Sequence, residues 1–259
     1  MTIEELRKKK EEYNFSYETI SILTGVSEET VAALFSDDTV KNITYEERRT
    51  IEFLLNGPDT DIVRESPVAY AVKAPGDYTV EDYDALPEEG RYELIDGVLY
   101  EMSAPNYFHQ AISSEISYTL REYVSKNSGK CKVLYAPLDV QLDCDDKTML
   151  QPDIIVVCEK EKFNKRGLFG APDLVVEILS PSTRKKDMTI KLSKYANAGV
   201  CEYWIVDPDK RKIVVYCWEQ DVEINIYGFH DNIPVTIFEG KCHVNFETIN
   251  QEMDSLQNA

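Results

Sequence analysis

Two short apolar runs in the middle of the chain limit its possible folds more than any other feature. The runs are DIIVVC (153–158) and DLVVEIL (173–179), which have the length and the β-branched residues of buried strands. Each run also carries a carboxylate, Asp153 or Glu177. An ionised carboxylate costs several kcal/mol to bury without a partner. The fold must therefore supply a group that compensates these two charges.

Antiparallel pairing of the two runs predicts that the two carboxylates face each other. If the hairpin is centred near Lys165, position 157 opposes 173, position 155 opposes 175, and Asp153 opposes Glu177. Directly opposed side chains share one face of the sheet, with Cβ atoms about 4.5–5.5 Å apart. A slip of one residue would move the acids to opposite faces. The assumed register thus predicts a repelling pair that needs a shared proton or a cation.

The surroundings of this pair suggest two explanations. Oxygen ligands at such a spacing suit Mg²⁺ or Mn²⁺, which accept one or two carboxylates and keep several waters. Cations flank the acids, as an anionic phosphodiester substrate would require: Lys160, Lys162, Lys165, Arg166, Arg184, Lys185 and Lys186. The alternative is a buried ion-pair cluster in which the acids bond Lys191, Lys194 or backbone amides.

From residue 78 onward the chain alternates between strand and helix patterns. RYELIDGVLYEMS (91–103) predicts a hairpin that turns at Asp96-Gly97. Apolar residues at every fourth position predict a helix over 107–126. Further strands are predicted in VLYAPLDVQL, EYWIVD and KIVVYCW, and a helix over 187–198 that Gly199 closes. Together these elements predict an α/β domain built on a mixed sheet.

The N-terminal residues have a helical pattern and almost no strand signal. Helices are predicted at 2–12, 16–24, 27–35 and 44–55, with Ser16, Ser27 and Thr44 at their starts. The segment FSYETISILTGVSEETVAALF (15–35) resembles the helix-turn-helix of small Cro/repressor-like domains, with its turn at Gly25. Its second helix carries Glu28 and Glu29 and no cation, and residues 1–57 hold seven basic and twelve acidic residues. This module is expected to contact either DNA or a protein.

Composition narrows the class of protein further. No apolar run approaches the roughly 20 residues that span a bilayer, and the charged N-terminus is unlike a secretion signal. We therefore expect a cytoplasmic protein without a membrane segment, and free thiols at the six cysteines. The net charge of −19 repels nucleic acid at long range, so that any contact with it needs local cations or a metal.

Residues from about 78 to 218 resemble the Uma-type restriction endonucleases, a branch of the PD-(D/E)XK nuclease superfamily. The matching segments are YTVEDYDALPEEGRYELIDGVLYEMSAP, QPDIIVV and APDLVVEILSPSTRKKDMTIKLSKYANAGVCEYWIVDP. The resemblance implies a restriction-endonuclease-like mixed β-sheet flanked by helices, here preceded by a small all-α helix-turn-helix domain. Together with the N-terminal helical pattern and the proline-containing stretch that follows it, this predicts a helical domain at 1–57, a linker at 58–77 and a nuclease domain at 78–250.

The resemblance also implies roles for four residues. Asp153, in its Pro-Asp pair, matches the metal-binding aspartate, and Glu177 matches the acid of the (D/E)XK element. Leu179 stands where that element has its lysine, so the role falls to Lys191 on the following helix. Glu93 matches a further acidic position and would complete the metal site. The alternatives are an i,i+4 surface pair of Lys191 with Asp187 and a solvated Glu93.

The implied function is a metal-dependent endonuclease that hydrolyses DNA phosphodiester bonds, with Mg²⁺ or Mn²⁺ as cofactor. A homodimer is expected, because cutting both strands of a duplex needs two sites. His109, near the start of a predicted helix, is expected to be structural. The alternative function is a non-catalytic nucleic-acid- or protein-binding regulator built on a nuclease-like scaffold.

Overall fold

The computed structural model describes residues 2–12, 15–36, 43–56, 73–86, 90–127, 129–142, 145–180, 183–218 and 223–257. Their contacts divide the chain into two compact units. The first comprises Met1–Arg64 and Lys185–Lys191, and the second comprises Glu65–Arg184 and Leu192–Ala259. The expected boundary at 57–58 and the expected linker up to position 72 lie outside the described residues.

Four helices form the N-terminal part of the first unit: α1 (Ile3–Glu12), α2 (Tyr17–Thr24), α3 (Glu28–Phe35) and α4 (Tyr45–Asn56). The predicted N-caps are confirmed, since Ser16 Oγ accepts the Thr19 amide and Ser27 Oγ accepts the Thr30 amide. Gly25 ends α2 with φ +78°, a left-handed conformation that glycine adopts without strain. The two helices are thus joined by a short connection, and their assignment as a DNA-binding motif remains a prediction.

A six-stranded mixed sheet forms the centre of the second unit, in the order β10-β9-β8-β7-β5-β3. Its strands are β3 (Lys132–Tyr135), β5 (Ile154–Val157), β7 (Leu174–Ile178), β8 (Glu202–Asp207), β9 (Lys212–Cys217) and β10 (Glu223–Gly228). Within this sheet, β7 and β8 pair in parallel and the other described pairs are antiparallel. A parallel pair needs a long crossover, which here runs through α7 (Arg184–Lys186), a π-helical turn (Asp187–Lys191) and α8 (Leu192–Ala198).

Smaller elements flank this sheet. The predicted hairpin is confirmed as β1 (Tyr92–Ile95) and β2 (Val98–Glu101), with Asp96 and Gly97 at positive φ as a primed turn requires. The predicted strand over 133–142 is divided into β3 and β4 (Val140–Gln141) at a cis Ala136–Pro137 bond, and β4 pairs with β6 (Leu168–Phe169). Toward the C-terminus β11 (Asn232–Val235) pairs with β12 (Cys242–Asn245). The short helix α5 (Val80–Asp84) precedes β1.

Two helices supply much of the apolar core on one face of the sheet. Helix α6 (Tyr107–Lys126) has the predicted bounds, and α9 (Phe246–Gln257) was not predicted. The buried residues of α9 recur at helical spacing: Phe246, Ile249, Asn250 and Met253. Phe246, Ile249 and Met253 join the apolar cluster formed by alternate residues of β5, β7 and β8 with α6.

The expectation of six free thiols is wrong for one pair. Cys131 and Cys158 form a disulfide. Strands β3 and β5 pair Lys132 with Val157, and the next pair of residues in the same register is Cys131 and Cys158. Cys201, Cys217 and Cys242 form no disulfide within the described part of the chain, and Cys144 lies outside the described residues. No helix in the described ranges has the length and apolarity needed to cross a membrane.

Candidate active site

The predicted register of β5 and β7 is confirmed. Ile154 pairs with Val176, Ile155 with Val175, and Val156 with Leu174. Asp153 immediately precedes β5, and Glu177 is the second-to-last residue of β7. One further step of the same register therefore brings Asp153 beside Glu177, at one end of the strand pair.

Asp153 is held by two donors. Its Oδ2 accepts the backbone N–H of Ile178 at 2.7 Å and lies 3.1 Å from Nε2 of His109, which stands in the first turn of α6. The Asp153 side chain is 14% exposed, and its Oδ1 accepts no hydrogen bond from the residues that the structure describes. One oxygen is thus fixed by the fold, and the other is free to bind a ligand.

His109 was expected to be structural, and its contact with Asp153 is the main site feature that sequence reasoning missed. Its side chain is 13% exposed, and Nδ1 is buried without a hydrogen-bond partner among the described residues. The one usable signal in the sequence was an Asn106 cap that begins a helix three residues earlier. Nothing local to His109 indicates that the start of α6 lies against the end of β5.

Glu177 is buried, being 3% exposed. Its Oε1 accepts a hydrogen bond of 2.6 Å from the hydroxyl of Tyr195, which is fully buried on α8. The Tyr195 ring contacts that of Tyr203 on β8, with centroids 4.9 Å apart. The Tyr195 hydroxyl thus fixes one oxygen of the Glu177 carboxyl group in position.

Glu93 is fully buried on β1, so the alternative of a solvated side chain is wrong. Its Oε1 accepts the backbone N–H of Gln151 at 3.1 Å. Gln151 stands two residues before Asp153 in the Gln-Pro-Asp segment. The hairpin acid therefore contacts the segment that carries the metal-binding candidate.

The side chain of Gln151 belongs to a polar network that fixes this segment. Its Oε1 accepts from Arg91 at 3.2 Å, and its Nε2 donates to Asp139 at 3.0 Å and to Tyr83 at 3.1 Å. Tyr83 in turn donates to Asp139 at 2.8 Å. Burial, followed by the nearby Asp139 charge, raises the pKa of the Tyr83 hydroxyl, which keeps it protonated as a donor.

Lys191 is buried in the π-helical turn and forms an ion pair with Asp187 at 3.1 Å. The i,i+4 pair considered from the sequence is therefore present, but it is buried, with each side chain 2% exposed. By its contacts Lys191 belongs to the first compact unit, whereas Asp153, Glu177 and Glu93 belong to the second.

Several cations that flank the acids in sequence are engaged elsewhere. Arg184 bonds both Asp207 and Asp209, and the Asp207 contact raises the pKa of its guanidinium. Arg166 pairs with Asp84, and Lys162 pairs with Glu159 at 3.1 Å. Lys194 pairs with Asp96 in the β1–β2 turn. The positive charges expected around the two acids are thus partly neutralised by acidic residues of the same unit.

The donor set at Asp153 and Glu177 fits a hard divalent ion. Both groups are carboxylates, and they are adjacent in the strand register. Oδ1 of Asp153 accepts no hydrogen bond from the described residues. Mg²⁺ takes one or two such protein ligands together with waters and substrate oxygens. Within the described ranges no three His, Cys, Asp or Glu side chains gather as a metal site. The fit is therefore to a site with few protein ligands.

Comparisons with known proteins point to one family. A family model described as "Uma2: Putative restriction endonuclease" matches residues 80–243. A crystal structure of a "putative nuclease belonging to DUF820" from Anabaena variabilis is 25% identical, with a TM-score of 0.55, and covers 66% of this chain and 96% of that one. The expected mixed α/β class is confirmed by this similarity.

A curated relative gives a sequence match over a shorter region. "Uncharacterized protein slr1290" from Synechocystis sp. is 28% identical over 127 residues, which are 49% of this chain and 65% of that protein. The chain thus spans just under two thirds of this relative. Because the family model covers well over half of the chain and includes Glu93, Asp153, Glu177 and Lys191, the chain belongs to the Uma2 family.

Proposed function

We propose that the chain is a Mg²⁺-dependent endonuclease that hydrolyses DNA phosphodiester bonds. The observation that carries the proposal is the placement of Asp153 and Glu177 next to each other on paired strands, each oriented by its own donor. Two adjacent carboxylates have no packing value in an apolar sheet. The family match and the similarity to the solved "putative nuclease" support the same reaction class.

In this proposal Asp153 and Glu177 hold the metal, and Glu93 assists. The ion, when bound, polarises the scissile phosphate and lowers the pKa of a bound water. The Ile178 amide and His109 keep the Asp153 carboxylate in one orientation, and the Tyr195 hydroxyl does the same for Glu177. Such supporting contacts fix the orientation of the side chains that hold a metal.

Lys191 is proposed to orient the attacking water or to stabilise the negative charge that develops on the phosphate. Leu179, directly after β7, stands where a lysine would be expected. Lys191 lies instead on the crossover segment, four residues before Tyr195. Its ion pair with Asp187, in which both side chains are buried, fixes the position of the ammonium group.

The first test is calorimetric titration of Mn²⁺ into the wild type and Asp153→Asn. Binding to the wild type and loss of binding in the variant are expected, with the exposed Glu101→Gln as the control that binds normally. If neither protein binds at millimolar metal, the titration is repeated with duplex DNA, because phosphate oxygens can complete the ligand set. Absence of binding there too would leave the non-catalytic scaffold.

Cleavage of plasmid DNA in Mg²⁺ then tests the assigned roles. Glu177→Gln and Lys191→Met are expected to lower the rate by about a hundredfold or more. Lys191→Met keeps the length of the side chain, and urea denaturation of each variant shows whether it is folded. Full activity in a folded Lys191→Met would remove the lysine from the mechanism.

We further propose a homodimer and a binding role for α2 and α3. Sedimentation equilibrium should give twice the chain mass of 29.7 kDa. For the helices, Glu28→Lys with Glu29→Lys in the full chain should tighten duplex binding if α3 faces DNA, since both acids are exposed at its start. Unchanged duplex affinity would assign α3 to a protein contact.

A further inference from the structure

A groove of about 700 Å³, lined by polar residues and two tyrosines, lies between α6 and the edge strand β3. Its lining includes one stripe along α6, with Gln110, Ser113, Ser117 and Arg121, and the rings of Tyr118 and Tyr135. None of these residues has a part in the proposed metal site. The groove is therefore a separate feature that needs its own explanation.

Ser117 gives the first indication of a ligand. It is 5% exposed, and its hydroxyl has no hydrogen-bond partner among the described residues. A buried hydroxyl that is left unsatisfied costs about 1–3 kcal/mol. Because Ser117 lines the groove, an acceptor on a bound molecule would remove this cost.

Exposed tyrosines give the second indication. Tyr118, Tyr107 and Tyr135 are 61%, 53% and 53% exposed, more than any other large apolar or aromatic side chain of the described residues. Two of them line the groove, and Tyr107 stands at the start of the same helix. Exposed rings of this kind serve as platforms on which unpaired bases stack.

The charges of the groove suit a nucleic acid chain. Arg121 is exposed and makes no hydrogen bond or ion pair with any residue that the structure describes. Lys126 is matched by Glu122 at 2.8 Å, and Tyr118 also donates to Glu122 at 3.3 Å. Arg121 is thus the cation of the described groove that remains available to a phosphate, in a chain whose net charge is −19.

Residues that line the groove are neighbours in the chain, or in the sheet, of residues of the candidate active site. Gln110 directly follows His109, which contacts Asp153. On the other wall, Tyr135 pairs with Ile154, and the next amide, that of Ala136, donates to the Asp153 carbonyl at 2.9 Å. From Gln110 to Ser125 the helix rises about 22 Å at 1.5 Å per residue, which is enough for several nucleotides.

We propose that this groove binds a single strand of nucleic acid and leads it to Asp153 and Glu177, an inference that rests on the proposed function. Bases stack on Tyr118 and Tyr135, and phosphate oxygens bind Arg121 and the serine hydroxyls. A strand is favoured over a duplex because stacking on these rings requires unpaired bases. A single available cation is also too little for the many phosphate contacts of a duplex.

The test is fluorescence anisotropy of a labelled 20-nucleotide single strand in EDTA, which separates binding from any metal site. Tyr118→Ala with Tyr135→Ala should raise Kd at least tenfold, whereas Tyr118→Phe with Tyr135→Phe should stay within about twofold because the rings remain. Phe169→Ala, which removes an exposed ring outside the groove, is the matched control. Arg121→Ala should reduce the slope of log K against log salt by about 0.7.

Three results would overturn the proposal. One is the absence of strand binding by the wild type at micromolar protein, and another is equal affinity in the double alanine variant. The third is loss of dimerisation in that variant with strand binding intact, which would make the groove an interface with a second copy. The wild type is expected to bind the strand in EDTA whether or not it binds Mn²⁺, and the tyrosine variants are expected to bind Mn²⁺ as the wild type does. Failure of the metal site and failure of the groove are therefore separate outcomes.

Discussion

The hydroxyl of Tyr195 provides a direct test of whether Glu177 is charged. Replacement by Phe removes one oxygen from a fully buried ring and leaves its contact with Tyr203 in place. The lost hydrogen bond of 2.6 Å to Glu177 is worth about 1.5–3 kcal/mol if its acceptor is ionised and about 0.5–1.5 kcal/mol if it is neutral. Because a carboxyl group must be deprotonated to hold the proposed metal, Tyr195→Phe should lower the free energy of unfolding by at least about 1.5 kcal/mol.

The same chain offers a matched control. Tyr216 is also buried, but its hydroxyl has no hydrogen-bond partner among the described residues. Burial raises the pKa of this hydroxyl, which stays neutral and unsatisfied. Tyr216→Phe should therefore leave stability unchanged or increase it, because the variant no longer buries an unsatisfied polar group.

Urea denaturation measures both variants. Trp204 and Trp218, the two tryptophans of the chain, lie in the second compact unit and report its unfolding by fluorescence. With a slope of about 2 kcal/mol per molar urea, Tyr195→Phe should shift the midpoint down by roughly 1 M. Equal losses in the two variants, or no loss in Tyr195→Phe, would refute a charged Glu177 that is held by Tyr195.

Three other predictions concern separate parts of the molecule. His109→Ala should weaken Mn²⁺ binding by about 10- to 100-fold, as loss of a residue that orients a ligand does; unchanged affinity by calorimetry would make His109 structural. Burial raises the pKa of Glu202 above its ordinary value of 4.5, so this carboxyl stabilises the fold at low pH and loses that contribution as the pH rises through its raised pKa. Glu202→Gln should consequently be less stable than the wild type by a margin that is larger at pH 5 than at pH 8, and a constant margin in urea denaturation at the two pH values would contradict this. Finally, Cys131→Ser with Cys158→Ser opens a loop of 27 residues and should lower the free energy of unfolding by about 3.5 kcal/mol by the chain-entropy relation. Urea denaturation with reducing agent should show the same loss in the wild type and no further loss in the variant.

The sequence predicted those parts of the fold whose determinants are local. The register of β5 and β7 follows from two apolar runs whose carboxylates sit at matching distances from the loop. The Asp96-Gly97 turn and the bounds of α6 follow from turn chemistry and helical spacing. In each case a few neighbouring residues carry the whole signal.

What the sequence did not predict depends on contacts between distant elements. The Cys131–Cys158 bond requires that β3 pair with β5, and neither cysteine indicates this by itself. The contacts of His109 with Asp153 and of Tyr195 with Glu177 depend on how α6 and α8 lie against the sheet. Helix α9 was missed because its four buried positions are spread over a largely polar segment.

The backbone amide of Ile178 has a consequence for how this family can diverge. Because Asp153 is held by a main-chain donor, its position depends on where the strand pair ends and not on which aliphatic side chains fill the sheet. Valine, isoleucine and leucine can therefore exchange along β5 and β7 without moving the carboxylate, as long as each strand keeps its length. Insertion or deletion of one residue in either strand would displace it. Relatives at 25–28% identity can thus differ widely in their cores and still present the acid at the same place.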